Sequence, residues 1–222
     1  MTAIETGAGG SHADRMDRMY RTQRHFYDLT RKYYLFGRDT LIRELDVPAG
    51  ASVLEVGCGT GRNLALIGNR FPHARLFGLD ISAEMLVSAE AKLSRPGRTG
   101  TVLRVADATD FKAAEFGEAG FDRIVISYAL SMIPDWEKAI GAAIAALNPG
   151  GSLHIADFGQ QERLPVFFKR GLQAWLRRFH VTPRPSMESV LRGVAADRSG
   201  TLDFRPIGRG YAWLFTYRRA GS

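Results

Sequence analysis

The sequence predicts an α/β fold in which a mostly parallel β-sheet carries helices on both faces and ends in an antiparallel hairpin. Short apolar runs, of the kind found in strands buried on both sides, alternate along the chain with helical patterns. The first run leads directly into a glycine-rich turn at residues 57–61. Near the end of the chain, two strand-like segments flank Gly208-Arg209-Gly210, a pattern that predicts the hairpin.

The first predicted strand covers residues 53–56, and glycines follow it at alternate positions, as Gly57, Gly59 and Gly61. Glycine allows a sharp backbone turn and a close approach of the backbone to a ligand. The dinucleotide fingerprint spaces its glycines differently, and a P-loop ends in Gly-Lys-Ser/Thr. The turn therefore predicts a nucleotide-like ligand without a pyrophosphate contact.

Glu55 lies at the end of this strand, where a carboxylate would repel phosphate but attract the positive methionine end of a sulfonium cofactor, directly or through water. In this spacing and with this acid, the segment resembles the first motif of the class I S-adenosylmethionine-dependent methyltransferases. The resemblance implies S-adenosylmethionine as cofactor, contacted by Glu55, Gly57, Cys58 and Gly59. Cys58 is the only cysteine of the chain, and we expect a small buried side chain there rather than a nucleophile.

The second predicted strand, residues 75–79, is followed by Asp80 about 20 residues after the glycine turn, the distance that one helical crossover takes. Asp80 is placed to accept hydrogen bonds from both ribose hydroxyls. Ser82 is suited to cap the next helix, and Ile81 and Met85 are expected to flank the adenine.

The third and fourth predicted strands supply the remaining cofactor contacts. Asp107 and Ala108 follow the third strand, residues 101–105, and the resemblance implies that Asp107 accepts from the adenine amino group. The fourth strand ends at Ser127, with Tyr128 next. Both residues lie where open α/β sheets bind their ligands, at the carboxyl ends of the strands.

The rest of the chain completes a Rossmann-like seven-stranded sheet like that of the methyltransferase family, whose last strand is inserted antiparallel. The resemblance covers the chain from about Tyr20 to its end. The remaining predicted elements are a helix at 136–147 ended by a turn at 148–151, a strand at 153–156, an amphipathic helix at 164–180, and hairpin strands at 201–206 and 211–217.

Length and composition indicate one globular domain: 222 residues, 45% of them hydrophobic. We expect a flexible N-terminus at 1–14, a basic aromatic segment for substrate and membrane contact at 15–44, and a methyltransferase domain at 45–222. No apolar run is long enough to span a bilayer, and the polar start lacks a signal-peptide core, so a cytoplasmic protein is expected. No metal-ligand spacing is evident.

The net charge of +7 is concentrated in the 15–44 segment and in the amphipathic helix at 164–180. Basic amphipathic helices with aromatic residues can lie on an anionic membrane or pack on a sheet, and for the helix at 164–180 both readings stay open. The aromatic content of the 15–44 segment favours contact with substrate and with the inner membrane face. Nucleic acid is disfavoured, because base methyltransferases of this class carry Asn/Asp-Pro-Pro-Tyr/Phe after the fourth strand, where this chain has Ser-Tyr-Ala-Leu at 127–130.

A closer resemblance involves four strings. They are Tyr-Asp-Leu-Thr-Arg-Lys-Tyr-Tyr-Leu-Phe-Gly-Arg-Asp at 27–39, Ala-Asp-Phe-Gly at 156–159, Arg-Phe-His-Val-Thr-Pro at 178–183 and Gly-Tyr-Ala-Trp at 210–213. They look like the bacterial betaine-lipid N-methyltransferases, which methylate the amine of diacylglyceryl-homoserine. Within the first string, Tyr27 and Arg38 are expected to contact the cofactor. Soluble bacterial phosphatidylethanolamine N-methyltransferases are similar in fold and chemistry.

For an amine acceptor, tyrosine rings are suited to surround the growing ammonium group. The candidate rings are Tyr20, Tyr27, Tyr34 and Tyr128, with Tyr20, Tyr27 and Tyr128 preferred. The candidate proton acceptors are His25 and His180, with His180 preferred, unless water suffices. Arg31, Lys32, Arg38 or Arg184 would bind a substrate carboxylate. The alternatives are a C- or O-methyltransferase of a quinone or another apolar small molecule, and a partner subunit that has lost catalysis.

Overall fold

The structure is a computed structural model, described here for residues 36–94, 100–179 and 181–221. It contains seven strands and six α-helices within these ranges. In chain order they are α1 (Arg38–Glu44), β1 (Ser52–Val56), α2 (Arg62–Arg70), β2 (Arg75–Asp80), α3 (Ala83–Leu93), β3 (Val102–Val105), a 3₁₀ turn (Ala113–Phe116), β4 (Phe121–Ser127), α4 (Trp136–Ala145), β5 (Leu147–Phe158), α5 (Val166–Arg178), α6 (Met187–Asp197), β6 (Thr201–Ile207) and β7 (Ala212–Arg218).

The strands form one sheet in the order β3-β2-β1-β4-β5-β7-β6. The pairs from β3 to β5 are parallel, whereas β7 runs antiparallel to both β5 and β6. The predicted fold class, a mostly parallel seven-stranded Rossmann-like sheet with a C-terminal antiparallel hairpin, is confirmed. The carboxyl ends of β1, β2, β4 and β5 therefore share one edge of the sheet, called here the carboxyl edge.

Two hydrophobic clusters cover the two faces of the sheet, as the alternation of side chains along β1 requires. Leu54 and Val56 point to one face and pack with residues of α4 and α6. Val53 points to the other face, where the cluster includes residues of α1, α2, α3 and α5. Helix α1 belongs to this second cluster, because Leu41 and Ile42 are only 4% and 5% exposed.

The largest difference from the sequence prediction concerns β5, which begins at Leu147 rather than at 153. The Asn-Pro-Gly-Gly sequence at 148–151 was expected to end an element, but it forms an irregularity inside the strand. Phe121 pairs with Leu147 and Arg123 with Ser152, so the four residues 148–151 of β5 lie opposite the single residue Asp122 of β4. Gly150 provides the left-handed backbone, with φ 73°.

Helix α6 was not predicted, and α5 is shorter than the expected 164–180. The cap of α3 is confirmed, because the Ser82 hydroxyl accepts from the Met85 backbone N–H at 3.3 Å. Within the described ranges, none of the helices combines the length and the apolar character needed to cross a bilayer.

Candidate cofactor and substrate site

A cavity of about 300 Å³ opens at the carboxyl edge, beside the turn that follows β1. A cavity of this size is at the lower end of the range typical of small-molecule sites. Its lining includes seven residues predicted to bind the cofactor or substrate; they are Gly57, Gly59, Asp80, Ile81, Met85, Asp107 and Ala108. Tyr128, predicted to contact the substrate, lines it as well.

The glycine turn adopts a backbone that other residues tolerate poorly. Gly57, Gly59 and Gly61 have φ values of 70°, 53° and 70°, in the left-handed region. At Gly57 a Cβ atom would lie 2.8 Å from the Cβ of Ala129, so the turn also packs closely on the chain after β4. The alternating glycines are thus explained by backbone conformation and by packing next to the cavity.

Asp80 fastens this turn to the end of β2. Its Oδ2 accepts from the Gly59 N–H at 2.8 Å, and its Oδ1 accepts from the Ser82 N–H at 3.0 Å. The carboxylate is therefore held in one orientation while it lines the cavity. A carboxylate oxygen can accept more than one hydrogen bond, so Asp80 retains acceptor capacity for hydroxyls of a ligand.

Asp107 is oriented by its neighbour. Its Oδ1 accepts from both the backbone N–H and the hydroxyl of Thr109, each at 2.8 Å. Those two bonds fix the carboxylate and leave Oδ2 as an acceptor for a ligand. Ile81 and Met85 add apolar surface to the same cavity, so the lining offers apolar contacts together with a carboxylate acceptor, as an adenine ring would require.

Glu55 lies beneath the turn and does not line the cavity. It is 1% exposed, and the Asn63 side-chain amide donates to its Oε1 at 2.7 Å. Burial raises the pKa of Glu55 to about 8, although the Asn63 hydrogen bond and the charge of Arg38 act in the opposite direction. Its other oxygen, Oε2, is buried without a hydrogen-bond partner among the described residues. Glu55 is thus mostly protonated at neutral pH.

Tyr128 has a left-handed backbone, with φ 56°, at the point where the chain leaves β4. Its hydroxyl donates to the Phe36 carbonyl, and its ring packs edge-on against Phe158, with the ring centroids 4.7 Å apart. Burial, followed by the charge of Asp157, raises the pKa of Tyr128 well above its usual value. Tyr128 is therefore a neutral hydrogen-bond donor whose side chain is only 2% exposed beside the cavity, and it does not act as a phenolate base.

Asp157, a buried acid, and Arg184 both form hydrogen bonds with the loop that follows β4. Asp157 Oδ2 accepts from the Ser131 N–H at 3.1 Å. The Arg184 guanidinium donates to the carbonyls of Leu130 and Ile133, at 3.2 and 2.6 Å. Burial raises the pKa of Asp157 to about 6, with Arg184 acting against this rise. Arg184 was one of the arginines expected to bind a substrate carboxylate, but its donors are directed to this loop instead.

Besides Glu55, three predicted cofactor contacts lie away from the cavity lining. Cys58 is buried, and burial raises the pKa of its thiol well above the usual value, which fits the expected structural role. Arg38 is 6% exposed and acts on Glu55 through its charge. The Ser127 hydroxyl is buried without a hydrogen-bond partner in the described part of the chain. Tyr20, Tyr27 and His180 lie outside the described residues.

The sequence interpretation missed part of the lining. Besides Thr109, these residues are Met132, Ile133, Pro134 and Asp135, all from the loop that joins β4 to α4. The available signal was their position, because this loop follows a strand that ends at the carboxyl edge.

Comparison with known proteins supports the prediction of the cofactor. A family described as "Methyltransferase domain" matches residues 53–151. The chain is 31% identical over 137 residues to the demethylmenaquinone methyltransferase of Thermus thermophilus, covering 60% of each protein. It is 29% identical over 172 residues to a phosphatidylethanolamine N-methyltransferase of Cereibacter sphaeroides, covering 77% of this chain and 79% of the relative. The chain spans about half the length of several other curated relatives that it matches.

Solved structures show the same fold. The plantazolicin methyltransferase BpumL, in complex with a triazolic desmethylPZN analog and SAH, superimposes with a TM-score of 0.68 at 15% identity, and the match covers 93% of both chains. The residues around the cavity suit S-adenosylmethionine: two fixed carboxylates are available for ribose and adenine, and a buried acid lies beneath the glycine turn.

Proposed function

Because the chain carries a class I methyltransferase domain, whose methyl donor is S-adenosylmethionine, we propose that it transfers methyl groups to the amine of a lipid head group. The preferred acceptor is diacylglyceryl-homoserine, which would yield the trimethylated betaine lipid. The reaction would take place at the cytoplasmic face of the inner membrane.

The observation that carries this proposal is the charge of the cavity. Three carboxylates line it, Asp80, Asp107 and Asp135, and no Lys, Arg or His is among the lining residues within the described ranges. The Tyr128 side chain is only 2% exposed, so the attraction for a cation rests on these carboxylates. Such a cavity attracts both the sulfonium of the donor and the ammonium of the product.

The reaction itself requires little proton chemistry from the protein. A neutral amine attacks the methyl carbon, the carbon–sulfur bond breaks, and the positive charge passes to nitrogen. Each methylated amine must release a proton to water before it can accept another methyl group. Tyr128 stays neutral and does not take up this proton. The residues of the cavity therefore contribute by orienting the acceptor and by excluding water. Orientation alone can contribute about 7–11 kcal/mol to the acceleration of a reaction.

One of the relatives supports an amino lipid as acceptor, without fixing the head group. The phosphatidylethanolamine N-methyltransferase of Cereibacter sphaeroides matches over more of its own length than the demethylmenaquinone methyltransferase does, 79% against 60%. A homoserine head group carries a carboxylate that phosphatidylethanolamine lacks. The expected partners of that carboxylate, Arg31 and Lys32, lie outside the described residues, so this preference rests on the sequence resemblance.

A C-methyltransferase of a quinone is the second candidate, favoured by the similarity to the demethylmenaquinone methyltransferase. Such an acceptor needs a base to form its enolate or phenolate. The cavity offers only carboxylates for this purpose in the described part of the chain.

The two candidates are separated by an acceptor panel. The purified protein is incubated with labelled S-adenosylmethionine and micelles that contain diacylglyceryl-homoserine, phosphatidylethanolamine or a demethylated menaquinone, and the products are identified by mass. We expect methylation of diacylglyceryl-homoserine first and of phosphatidylethanolamine more slowly. Methylation of phosphatidylethanolamine or the quinone, with none of diacylglyceryl-homoserine, would remove the betaine-lipid proposal and leave the methyltransferase assignment in place.

Two truncations test the N-terminal segment. Removal of residues 1–35 is expected to abolish transfer while the sheet stays folded, whereas removal of residues 1–14 alone is the control and should preserve transfer. The longer cut stops before Arg38, because Arg38, Leu41 and Ile42 are buried in the domain. Full activity after the longer truncation would contradict a role of the segment in acceptor binding.

A further inference from the structure

Helix α5 is fastened to the carboxyl edge at both of its ends. Before the helix, the Gln161 N–H donates to the Gly210 carbonyl at 2.9 Å, and Gly210 precedes β7 where that strand starts at this edge. After the helix, the Thr182 N–H donates to the Ser131 carbonyl at 2.9 Å, in the loop that lines the cavity. The 13 residues of α5 thus connect the start of β7 to the cavity wall.

The inner side of α5 accounts for only part of its apolar surface. Leu176 is 1% exposed, and Leu172 and Trp175 pack partly against the cluster that contains Tyr128. In the first turn, however, Val166 and Phe167 are 65% and 79% exposed. Phe168 is exposed as well. Scattered apolar residues on a surface are ordinary, but three consecutive exposed ones on a helix indicate a contact surface.

The charges around this surface have one sign. Residues 159–179 contain a single acid, Glu162, which accepts a hydrogen bond from the Trp213 indole. The same stretch contains five basic residues and α5 itself contains no acid. The basic residues are Arg163, Lys169, Arg170, Arg177 and Arg178.

We propose that the outer face of α5, from Val166 to Arg178, docks on an anionic lipid surface with its first turn inserted among the acyl chains. An anionic lipid surface is the partner we propose because the charges around this face are basic. The basic segment at 15–44 and a second copy of α5 would each bring further positive charge to the face, whereas anionic lipid head groups would neutralise it.

This docking would give the lipid acceptor a direct route from the bilayer to the cavity. The route extends the proposed function and rests on it. The far end of α5 is bound to the loop that lines the cavity, through Thr182 and Ser131. A helix lying in the membrane surface would place that loop at the level of the lipid head groups. A head-group amine could then enter the cavity while its acyl chains stay in the bilayer.

Flotation with vesicles tests the docking face in the full chain. The variant is Val166→Ser with Phe167→Ser, and the control is Val87→Ser on α3, which removes an apolar side chain that is 68% exposed elsewhere on the surface. The vesicles are phosphatidylcholine alone or phosphatidylcholine with phosphatidylglycerol. We expect the native chain and the control to bind only the anionic vesicles. The double variant should bind at least tenfold more weakly while its thermal unfolding midpoint and its affinity for S-adenosylmethionine stay unchanged.

Three results would overturn the proposal: equal binding of the double variant and the native chain to anionic vesicles, equal binding of the native chain to both kinds of vesicle, or a change of oligomeric state in the double variant without loss of vesicle binding. The outcome is distinct from that of the acceptor panel. If the double variant loses vesicle binding but the native chain methylates no amino lipid, the docking face is retained and the proposed substrate is refuted. If the native chain methylates amino lipids but the double variant binds vesicles as well as the native chain does, the proposed substrate is retained and the docking face is refuted.

Discussion

Replacement of Glu55 by Gln tests whether the acid beneath the glycine turn recognises the cationic end of the cofactor. Burial raises the pKa of Glu55 to about 8, so at neutral pH the carboxyl is mostly protonated. If the bound cofactor requires the ionised form, its affinity must follow the ionised fraction. Gln keeps the size of the side chain and an oxygen that accepts the Asn63 hydrogen bond, but it cannot ionise.

The size of the effect follows from the pKa. With a pKa of about 8, the ionised fraction rises about tenfold between pH 6 and pH 7, and cofactor affinity should rise by the same factor. The same pKa acts on stability with a defined sign. The native state retains a proton that the unfolded chain releases, so the free energy of unfolding falls as pH rises from 4.5, the ordinary pKa of a glutamate, towards 8. The full effect is on the order of 5 kcal/mol, and the Gln variant should lack it.

Titration calorimetry at pH 6 and pH 7, in two buffers that differ in ionisation enthalpy, measures both affinity and proton release. We expect the native chain to release a proton on binding and the Gln variant to release none and to lose the tenfold pH dependence. Thermal unfolding at pH 8 should show the variant to be at least as stable as the native chain. The same pH slope of affinity in both proteins would refute the reasoning.

Three further substitutions address the turn, the ribose acceptor and the loop behind the cavity. Asp80→Ala removes the acceptor of the Gly59 N–H and should weaken S-adenosylmethionine binding by about 1–3 kcal/mol in calorimetry; unchanged affinity would exclude Asp80 as a ligand. Gly57→Ala places a Cβ in a left-handed backbone and 2.8 Å from the Ala129 Cβ, and should lower the free energy of unfolding in urea by about 1–3 kcal/mol. Arg184→Met removes two hydrogen bonds to backbone carbonyls of the cavity loop, and should raise the KM for the lipid acceptor severalfold with cofactor affinity preserved; a change in cofactor affinity alone would contradict this role.

Matched controls separate packing from conformation. Gly50 also has a positive φ, 78°, but a Cβ there would have no neighbour within 4 Å. Gly50→Ala should therefore cost only the backbone strain, and a loss equal to that of Gly57→Ala would show that the contact with Ala129 contributes nothing. Arg184→Lys retains the charge without the paired donors, so partial recovery of the acceptor KM is expected.

The part of the fold that the sequence predicts best is the part where local signals agree. The apolar run of β1, the glycines after it and the Ser82 cap each favour the same local structure, and the hairpin turn at 208–210 does so as well. The predicted start of β5 was wrong, because an Asn-Pro-Gly-Gly sequence is compatible both with a turn between two elements and with a bulge inside a strand. Only pairing with β4 distinguishes the two.

The candidate site shows the same limit. The order of Glu55, Asp80 and Asp107 along the chain predicted residues that the structure places around one turn, two of them lining the cavity. The protonation of Glu55 depends on desolvation by distant parts of the chain, which no local pattern records. For the same reason, Asp157 could be placed at the end of a strand, but its hydrogen bond to Ser131 could not be anticipated.

The left-handed backbone of Tyr128 limits how the acceptor preference of this domain can change. At φ 56° the position accommodates glycine and asparagine more readily than most residues, and each of these is smaller than tyrosine. Substitutions compatible with the backbone would therefore remove a buried side chain and open space beside the cavity. Position 128 thus offers a short route to a larger acceptor, with loss of the ring packing against Phe158.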